Sequence, residues 1–468
     1  MRIPFCILVL FALFMFACKK DSFVTSPGAT IRLSSDTLFF DTVFTTTGSI
    51  TQSVKIINDN DGRIRLSDIR IMGGAASYFS INVDGTPGPQ VGNQEIDAGD
   101  SLYIFVAVTI HPNAANLPFI VQDSIGISFN GNRKFLQLQA YGQNAHFLHN
   151  KVITSNTEWD NSLPYVITGS LRVDTNVELT LMPGCRVYCH ADAPILVDGT
   201  LLAIGGTDSS SRIVFAGDRL DYPYSDFPGS WPGIYFRGSS ISNVMRRVVV
   251  KNAYQAIAVA GPATNTLRKL TLEQSVIDNS YDAGILAVAT SLSASNCLIA
   301  NCGKNIQLTY GGDYSFDNCT VASYSNELIT HSQPVLYCSN YNANAATPQI
   351  NDMRAHFLNC IFWGNNGNVD NEVQVSQQNA NSQTFDILFT NCLWKVKTEP
   401  VGISTIDPIA SVDPQFDSVN NFRRYYDFHL KSTSPLIDKG AYTPVALDLD
   451  GNPRSNGAPD IGCYERQK

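Results

Sequence analysis

Between residues 30 and 143 apolar and polar positions alternate with a period of two. "TLFFDTVF", "TQSVKIINDNDG", "YFSINVDG", "DSLYIFVAVTI", "DSIGISFNGN" and "FLQLQAYG" each read as a strand with one buried face, bounded by Asn, Asp and Gly turns. About seven short strands in about 110 residues, with no helical periodicity, predict an antiparallel sandwich. The stretch contains no cysteine, so this sandwich must hold together by packing alone.

From about residue 151 the pattern changes. "PYVITGSLRV", "NVELTLMPGCRVYC", "APILVDGTLLAIGGT" and "SRIVFAG" are short apolar strands separated by tight turns, and "GSWPGIYFRG" follows. Further on one phrase recurs: "SNCLIAN" (295–301), "DNCTVAS" (317–323), "LNCIFWG" (358–364) and "TNCLWK" (390–395). Upstream, "RRVVVKN" and "EQSVIDN" carry Val248 and Ser275 in the cysteine's place. Successive steps are 27, 22, 22, 41 and 32 residues. A coil of about 22 residues suits one turn of a β-solenoid, and the step of 41 reads as two turns. Stacked turns place Cys297, Cys319, Cys360 and Cys392 in an inward ladder, with Ile299, Val321, Phe362 and Trp394 on the same face.

These thiols therefore read as small interior side chains. Nine cysteines follow Cys18, an odd number, so at least one has no intramolecular partner. Cys185 and Cys189 share one strand face without zinc-knuckle spacing, and no metal site is expected from them.

Three resemblances rest on these residues. The 30–143 stretch resembles immunoglobulin-like domains of the ASH type. Leu179, Pro183, Gly184, Gly199-Thr200-Leu201, Ala203, Gly205, Trp231 and Gly233-Ile234 resemble, in order, the opening rungs of right-handed parallel β-helix proteins of the pectate-lyase-like superfamily. "VDPQFDS", "YYDFHLKSTSPLIDKG", "LDLDGNPR" and "PDIGCYE" resemble a tail found on secreted and surface β-helix proteins. A solenoid end exposes strand edges, so this tail is expected to cap it. The expected chain is all-β: a sandwich over 30–143, a parallel β-helix over 151–404 and a C-terminal cap over 405–468. Residues 144–150, with His146 and His149, read as a hinge loop carrying surface histidines.

The N-terminus changes the expected location. "MRIPFCILVLFALFMFACKKD" has Arg2 before an uncharged run from Phe5 to Ala17, too short to span a bilayer and suited to a signal-peptide core. "MFAC" resembles a bacterial lipoprotein lipobox, which implies a signal peptide over 1–17, acyl chains on Cys18 and a tether over 18–29. Each buried methylene contributes about 0.8 kcal/mol, so several chains anchor firmly. "KKDS" resembles the surface-export signals of Bacteroidetes lipoproteins, with one acid, Asp21, where that pattern has two. The membrane is thus the expected partner through the lipid anchor, in the outer membrane of the cell envelope. The net charge of −9 comes with no basic stripe to replace released counterions, which excludes nucleic acid.

Chemistry is harder to read. The Asn-Thr-Asp, Asp-Asp, Gly-His-Gly and Arg-Ile-Lys motifs of the fold's galacturonases are absent. A close carboxylate pair would have to come from different rungs, and fold alone confers no activity. The best candidate is the insertion "GDRLDYPYSDFPGSW" (217–231), where aromatic faces and carboxylates suit sugars. Tyr222, Tyr224, Asp226 and Trp231 form the candidate glycan-binding set. The competing reading puts Trp231 inside the rung and the other rings over a flank. "DLDGN" offers Asp448, Asp450 and Asn452 to Ca²⁺ without the full calcium loop, and an Asp-Gly turn explains it more simply. No other cofactor is implied.

Three functions remain open. The leading one is a surface protein that binds a polysaccharide or surface protein without catalysis. The others are a polysaccharide lyase or glycoside hydrolase with a non-standard site, and a structural or adhesive protein. A cluster of Asp, Arg and Tyr on one face would favour an enzyme, an aromatic stripe a binder, and a bare polar flank architecture.

Overall fold

A computed structural model describes residues 22–45, 49–111, 119–342, 349–378, 383–454 and 457–467. The signal segment and Cys18 lie outside these residues. The chain divides into two compact units between Asn144 and Ala145.

The first unit is a sandwich of two five-stranded sheets. One orders Arg32–Leu33, Gln52–Ile57, Ser101–Val108, Phe79–Val83 and Thr86–Pro87; the other orders Thr37–Phe44, Asn132–Gln143, Phe119–Phe129, Ile64–Ile71 and Gln90–Ile96. Period-2 alternation places the core: in Ser101–Val108, Leu102, Ile104, Val106 and Val108 point inward, while Tyr103 and Phe105 point out. The sandwich is not wholly antiparallel, because Thr37–Phe44 runs parallel to Asn132–Gln143. Alternation sets which face a residue occupies, and it is blind to the direction of the neighbouring strand.

The second unit is a parallel β-helix, with twenty-six strands among the described residues, wound into three faces. Sheet A includes Ile234–Phe236, Gln255–Ala260, the first half of Ala283–Ser295, the first half of Lys304–Asp317, Leu336–Ser339 and Val373–Ser376. Sheet B includes Asn243–Arg246, Leu270–Glu273, the second halves of those two long strands, Met353–Leu358 and Phe385–Thr390. Sheet C includes Val248–Lys251, Val276–Asp278, Leu298–Ala300, Thr320–Tyr324, Ile361–Asn365 and Leu393–Trp394.

The cysteine ladder is present. Leu298 pairs with Thr320, Thr320 with Ile361, and Ile361 with Leu393, which stacks Cys297, Cys319, Cys360 and Cys392 on successive rungs. All nine cysteines among the described residues are free and buried. Because Val321 pairs directly with Phe362, the step of 41 residues is one turn with enlarged corner loops, not two turns. Beside the ladder Phe357 stacks on Phe316 at 5.4 Å and on Phe389 at 4.6 Å.

One other expectation changes. His146–Ile153 is a strand paired in parallel with Tyr165–Val173, so the solenoid starts in the segment read as a hinge. Its side chains are mostly exposed; Ile153 alone is buried in the solenoid core, with Leu148 packed against it, so the apolar pattern is too sparse to read. The C-terminal tail covers a flank of the solenoid. It lies along the outside of sheet C, where Leu298, Ala300, Ala322, Ile361, Trp363 and Leu393 pack against Phe416, Phe428, Leu430, Leu436, Leu449 and Ile461. Strands of sheet C such as Thr320–Tyr324 are buried on both faces. Their apolar outer side needs a cover, whereas the late strand Ser404–Ile406 stays exposed.

The corner between sheets B and C explains how the tail is held. Arg247, Gln274, Asn296, Asn318, Asn359 and Asn391 all adopt positive φ there, between 47° and 54°. Asparagine tolerates this region better than most residues. The Asn391 side chain donates to Lys439 O at 3.1 Å, Asn318 to Thr443 Oγ1 at 3.1 Å and Gln274 to Asp448 O at 2.7 Å. Asn296 donates to Leu447 O. The tail thus retraces the solenoid backward along a ladder of amides.

Candidate functional site

The corner between sheets A and B carries a groove of about 870 Å³. Its walls include Leu267, Arg268, Tyr310, Asp313, Asp352 and Arg354. Register puts Ser291, Asp313, Arg354 and Asp386 in one column on the outside of sheet B. Ser293, Ser315, His356 and Leu388 form the next column. Neighbouring rungs lie about 4.8 Å apart, so acids and bases alternate at that interval.

Each acid here is engaged. Arg268 pairs with Asp313 at 2.8 Å and also donates to the Asp313 carbonyl at 2.5 Å. Asp386 faces Arg354 at 3.7 Å and His356 at 3.0 Å. Asp352 accepts the Thr384 N–H at 2.6 Å. Tyr310 bonds Gln349 through its hydroxyl, and Asn351 donates to Tyr310 O at 3.0 Å. Leu267, 61% exposed, supplies an apolar rim. A Cβ on Gly311 would sit 2.4 Å from Asp352 O, and the φ of 72° there also requires glycine. This arrangement offers donors and acceptors over several rungs. Asp, Arg and Tyr thus meet on one face, the pattern that favours an enzyme, but Asp313 and Asp386 are held against cations and Asp352 against a backbone N–H, which suits recognition more than proton transfer.

The 217–231 insertion lies at a different corner, between sheets C and A. Arg219 grips Asp221 through two bonds of 2.7 and 2.9 Å and covers the Tyr224 ring at 4.0 Å. Tyr224 meets Phe227 edge-on at 5.3 Å, and Tyr222 is 76% exposed. Asp226 faces Arg424 of the tail at 3.4 Å. Trp231 leaves the candidate set. It is fully buried in the solenoid core and donates from Nε1 to Lys251 O at 3.0 Å, so its ring has no face for a sugar.

An exposed aromatic pair was missed in the sequence. Tyr254 and Tyr281 stack at 5.8 Å on successive rungs of this corner. "KNAY" (251–254) and "DNSY" (278–281) carry the signal: the tyrosine follows the left-handed Asn252 or Asn279 by two residues in both. The outer column of sheet A, Leu196, Tyr235, Ala258, Leu286, Gln307, Tyr337 and Gln374, contains no carboxylate.

The two carboxylates of "DLDGN" are already engaged. Asp448 accepts N–H groups of Asp450, Asn452 and Glu465 at 2.7–3.0 Å, and Asp450 pairs with His429 at 2.8 Å. The segment is a hydrogen-bonded turn. Among the described residues no group of three His, Cys, Asp or Glu is placed to hold a metal. His149 bonds Thr168 at 3.0 Å and His146 packs on Tyr165 at 4.8 Å, both on the first rungs.

No protein-family model matches the chain, and no curated protein matches it in sequence. Solved structures similar to it include a protein of unknown function from Porphyromonas gingivalis W83, 15% identical with a TM-score of 0.19 over 27% of this chain and 50% of that one. The chain therefore spans half the length of that protein. A second is the ASH / PapD-like domain 7 of human CEP192, 10% identical with a TM-score of 0.18 over 26% of this chain and 89% of that one. A third is the catalytic unit of the GH87 α-1,3-glucanase of Streptomyces thermodiastaticus strain HF3-3, 10% identical with a TM-score of 0.25 over 77% of this chain and 90% of that one. Likenesses this distant assign neither activity nor ligand.

Proposed function

We propose that this is a lipid-anchored protein of the outer membrane whose β-helix binds a glycan chain in the sheet A–sheet B groove without cleaving it. The observation that carries the reading is the alternating column in which Asp313 and Arg354 line a groove that crosses rungs and Asp386 continues the column on the next rung beyond it, each engaged with an opposite charge. Hydroxyl-rich chains exchange hydrogen bonds with both signs of charge at once. Regular rung spacing suits a repeating polymer. The anchor rests on Cys18 and the apolar run before it.

Full chain purified from membranes in detergent would be tested by affinity electrophoresis against neutral and uronic-acid polysaccharides. Retention on one glycan, lost in Arg354→Ala, with no new reducing ends and no unsaturated product, is the expected result. Product formation, or retention unchanged by Arg354→Ala, would overturn the reading. Radiolabelled palmitate entering the wild type but not Cys18→Ala would establish the anchor; no incorporation in either would remove it.

A further inference from the structure

The tail does more than cover sheet C. Between it, the 217–231 insertion and the sheet C–sheet A corner lies a cleft of about 160 Å³. Three parts of the chain build it: Asp226 from the insertion, Lys251, Asp278 and Asn301 from the corner, and Arg424 and Tyr426 from the tail. Water takes about 30 Å³ per molecule in the liquid. The space therefore suits about five waters or one compact ring of similar volume, whereas the groove at the other corner suits a chain.

The cleft is built to keep its shape. The corner asparagines lock the insertion from beneath: Asn252 donates to Ser225 O at 2.6 Å, and Asn279 donates to Asp226 O at 2.9 Å and to Asn252 Oδ1 at 2.8 Å. From above, Arg424 pairs with Asp226 at 3.4 Å and with Glu327 at 3.7 Å, although it lies 198 residues beyond Asp226. Tyr426 is itself held in an aromatic cluster, 6.0 Å from Tyr324 and 6.1 Å from Phe428, which lie 6.2 Å from each other. One wall is thus an aromatic side chain, and the others are carboxylates, amides and cations.

The charges are close to balanced once all of them are counted: the bases Lys251, Arg423 and Arg424 line the cleft with the acids Asp226 and Asp278, and Arg424 also pairs with Glu327. Asn301 approaches Asp278 at 3.5 Å. Burial lifts the Asp278 carboxyl to about 6, against the pull of Asn301 and Lys251. A strongly anionic or cationic ligand would upset this balance. A neutral polyol would not: vicinal hydroxyls can bond carboxylate, amide and guanidinium groups together while an apolar face lies on a ring.

We infer that this cleft is a second ligand site that takes a single neutral hexose ring, as a chain end or branch, separately from the groove. The inference rests on the glycan-binding reading but uses none of the groove's residues, so the two fail independently. It also gives the tail a role in recognition, since without Arg424 and Tyr426 the cleft has no outer wall.

The test is saturation-transfer NMR on detergent-purified full chain with free glucose, galactose and mannose. One of them should give a signal that falls about tenfold in affinity in Asp278→Asn and in Lys251→Met, the loss of about one charged hydrogen bond, and is unchanged in Arg354→Ala. Two variants are used so that a folding defect in one, seen by circular dichroism, does not hide the answer. No hexose signal, or a signal lost in Arg354→Ala and kept in both cleft variants, would overturn the inference. Hexose binding in the cleft without polysaccharide retention would instead sink the groove and leave the cleft standing.

Discussion

Asn359 and Ala441 are 82 residues apart and bond each other twice: the Asn359 amide donates to Ala441 O at 2.8 Å, and its oxygen accepts the Ala441 N–H at 2.8 Å. The same amide donates to Asn318 Oδ1 at 2.8 Å, which joins the clamp to the ladder below. One side chain thus serves a left-handed turn of the solenoid and the returning tail.

Asn359→Ala should therefore lose stability twice over. Its φ of 54° disfavours alanine by about 1–2 kcal/mol, and the buried partners left unpaired cost about 1–3 kcal/mol more. Asn359→Gly should recover the backbone part alone. Thermal unfolding of the three proteins, with limited proteolysis at the tail, checks this. Equal stability of the Ala and Gly variants would refute the backbone share.

His429 joins the tail hairpin to the turn at 448–452, with Asp427 at Nδ1 and Asp450 at Nε2. The bond to Asp450 does most to raise its pKa to about 9, against burial and with help from Asp427. A folded pKa above the unfolded value means stability fully present below about 6.5 and lost as pH rises through about 9. Asp450 is held below its ordinary value chiefly by the same bond, so its share is lost only in acid. Hydrogen exchange of the tail should quicken between pH 7 and 10 in the wild type, whereas His429→Asn should show no such step beyond the chemical exchange trend. A flat wild-type profile would show that the pair does not fasten the tail.

The ladder thiols should be inert while the protein is folded. Burial pushes Cys185, Cys302 and Cys463 up to about 12, and Cys297, Cys319 and Cys360 well above the ordinary thiol value. These six form little thiolate, and burial denies all nine described cysteines access to the reagent, so alkylation has no route. Mass spectrometry after iodoacetamide at pH 8 should find the nine described cysteines unmodified in native protein and modified in denaturant. Rapid native labelling of Cys319 would mean that the rungs open.

The repeated phrase around the cysteines made the solenoid legible because stacking needs the same small inward side chain on each rung. It could not size the insertions: a residue 41 positions on can be one rung or two, and only pairing of Val321 with Phe362 decides. The groove stayed hidden for a related reason. Arg268, Asp313 and Arg354 are close only because rungs stack, and outward positions are free to differ in type, so no phrase repeats. Tyr254 and Tyr281 were the exception, repeating in "KNAY" and "DNSY".

Trp231 and Tyr222 belong to one loop and were grouped by one argument about aromatic rings, yet the structure separates them. Trp231 is fully buried with its indole N–H bonded, and Tyr222 is 76% exposed. Trp231→Ala would open a large cavity and strand the Lys251 carbonyl, a loss of about 3–5 kcal/mol. Tyr222→Ala should change stability by no more than about 0.5 kcal/mol. Urea unfolding of both variants, followed by glycan retention at a urea-free temperature where each is folded, tells packing from contact. If Trp231→Ala unfolds like the wild type but no longer retains glycan, its ring must reach the ligand, and the rung position found here would be wrong. If only its stability falls, any glycan contact by this loop must come from the residues at its surface.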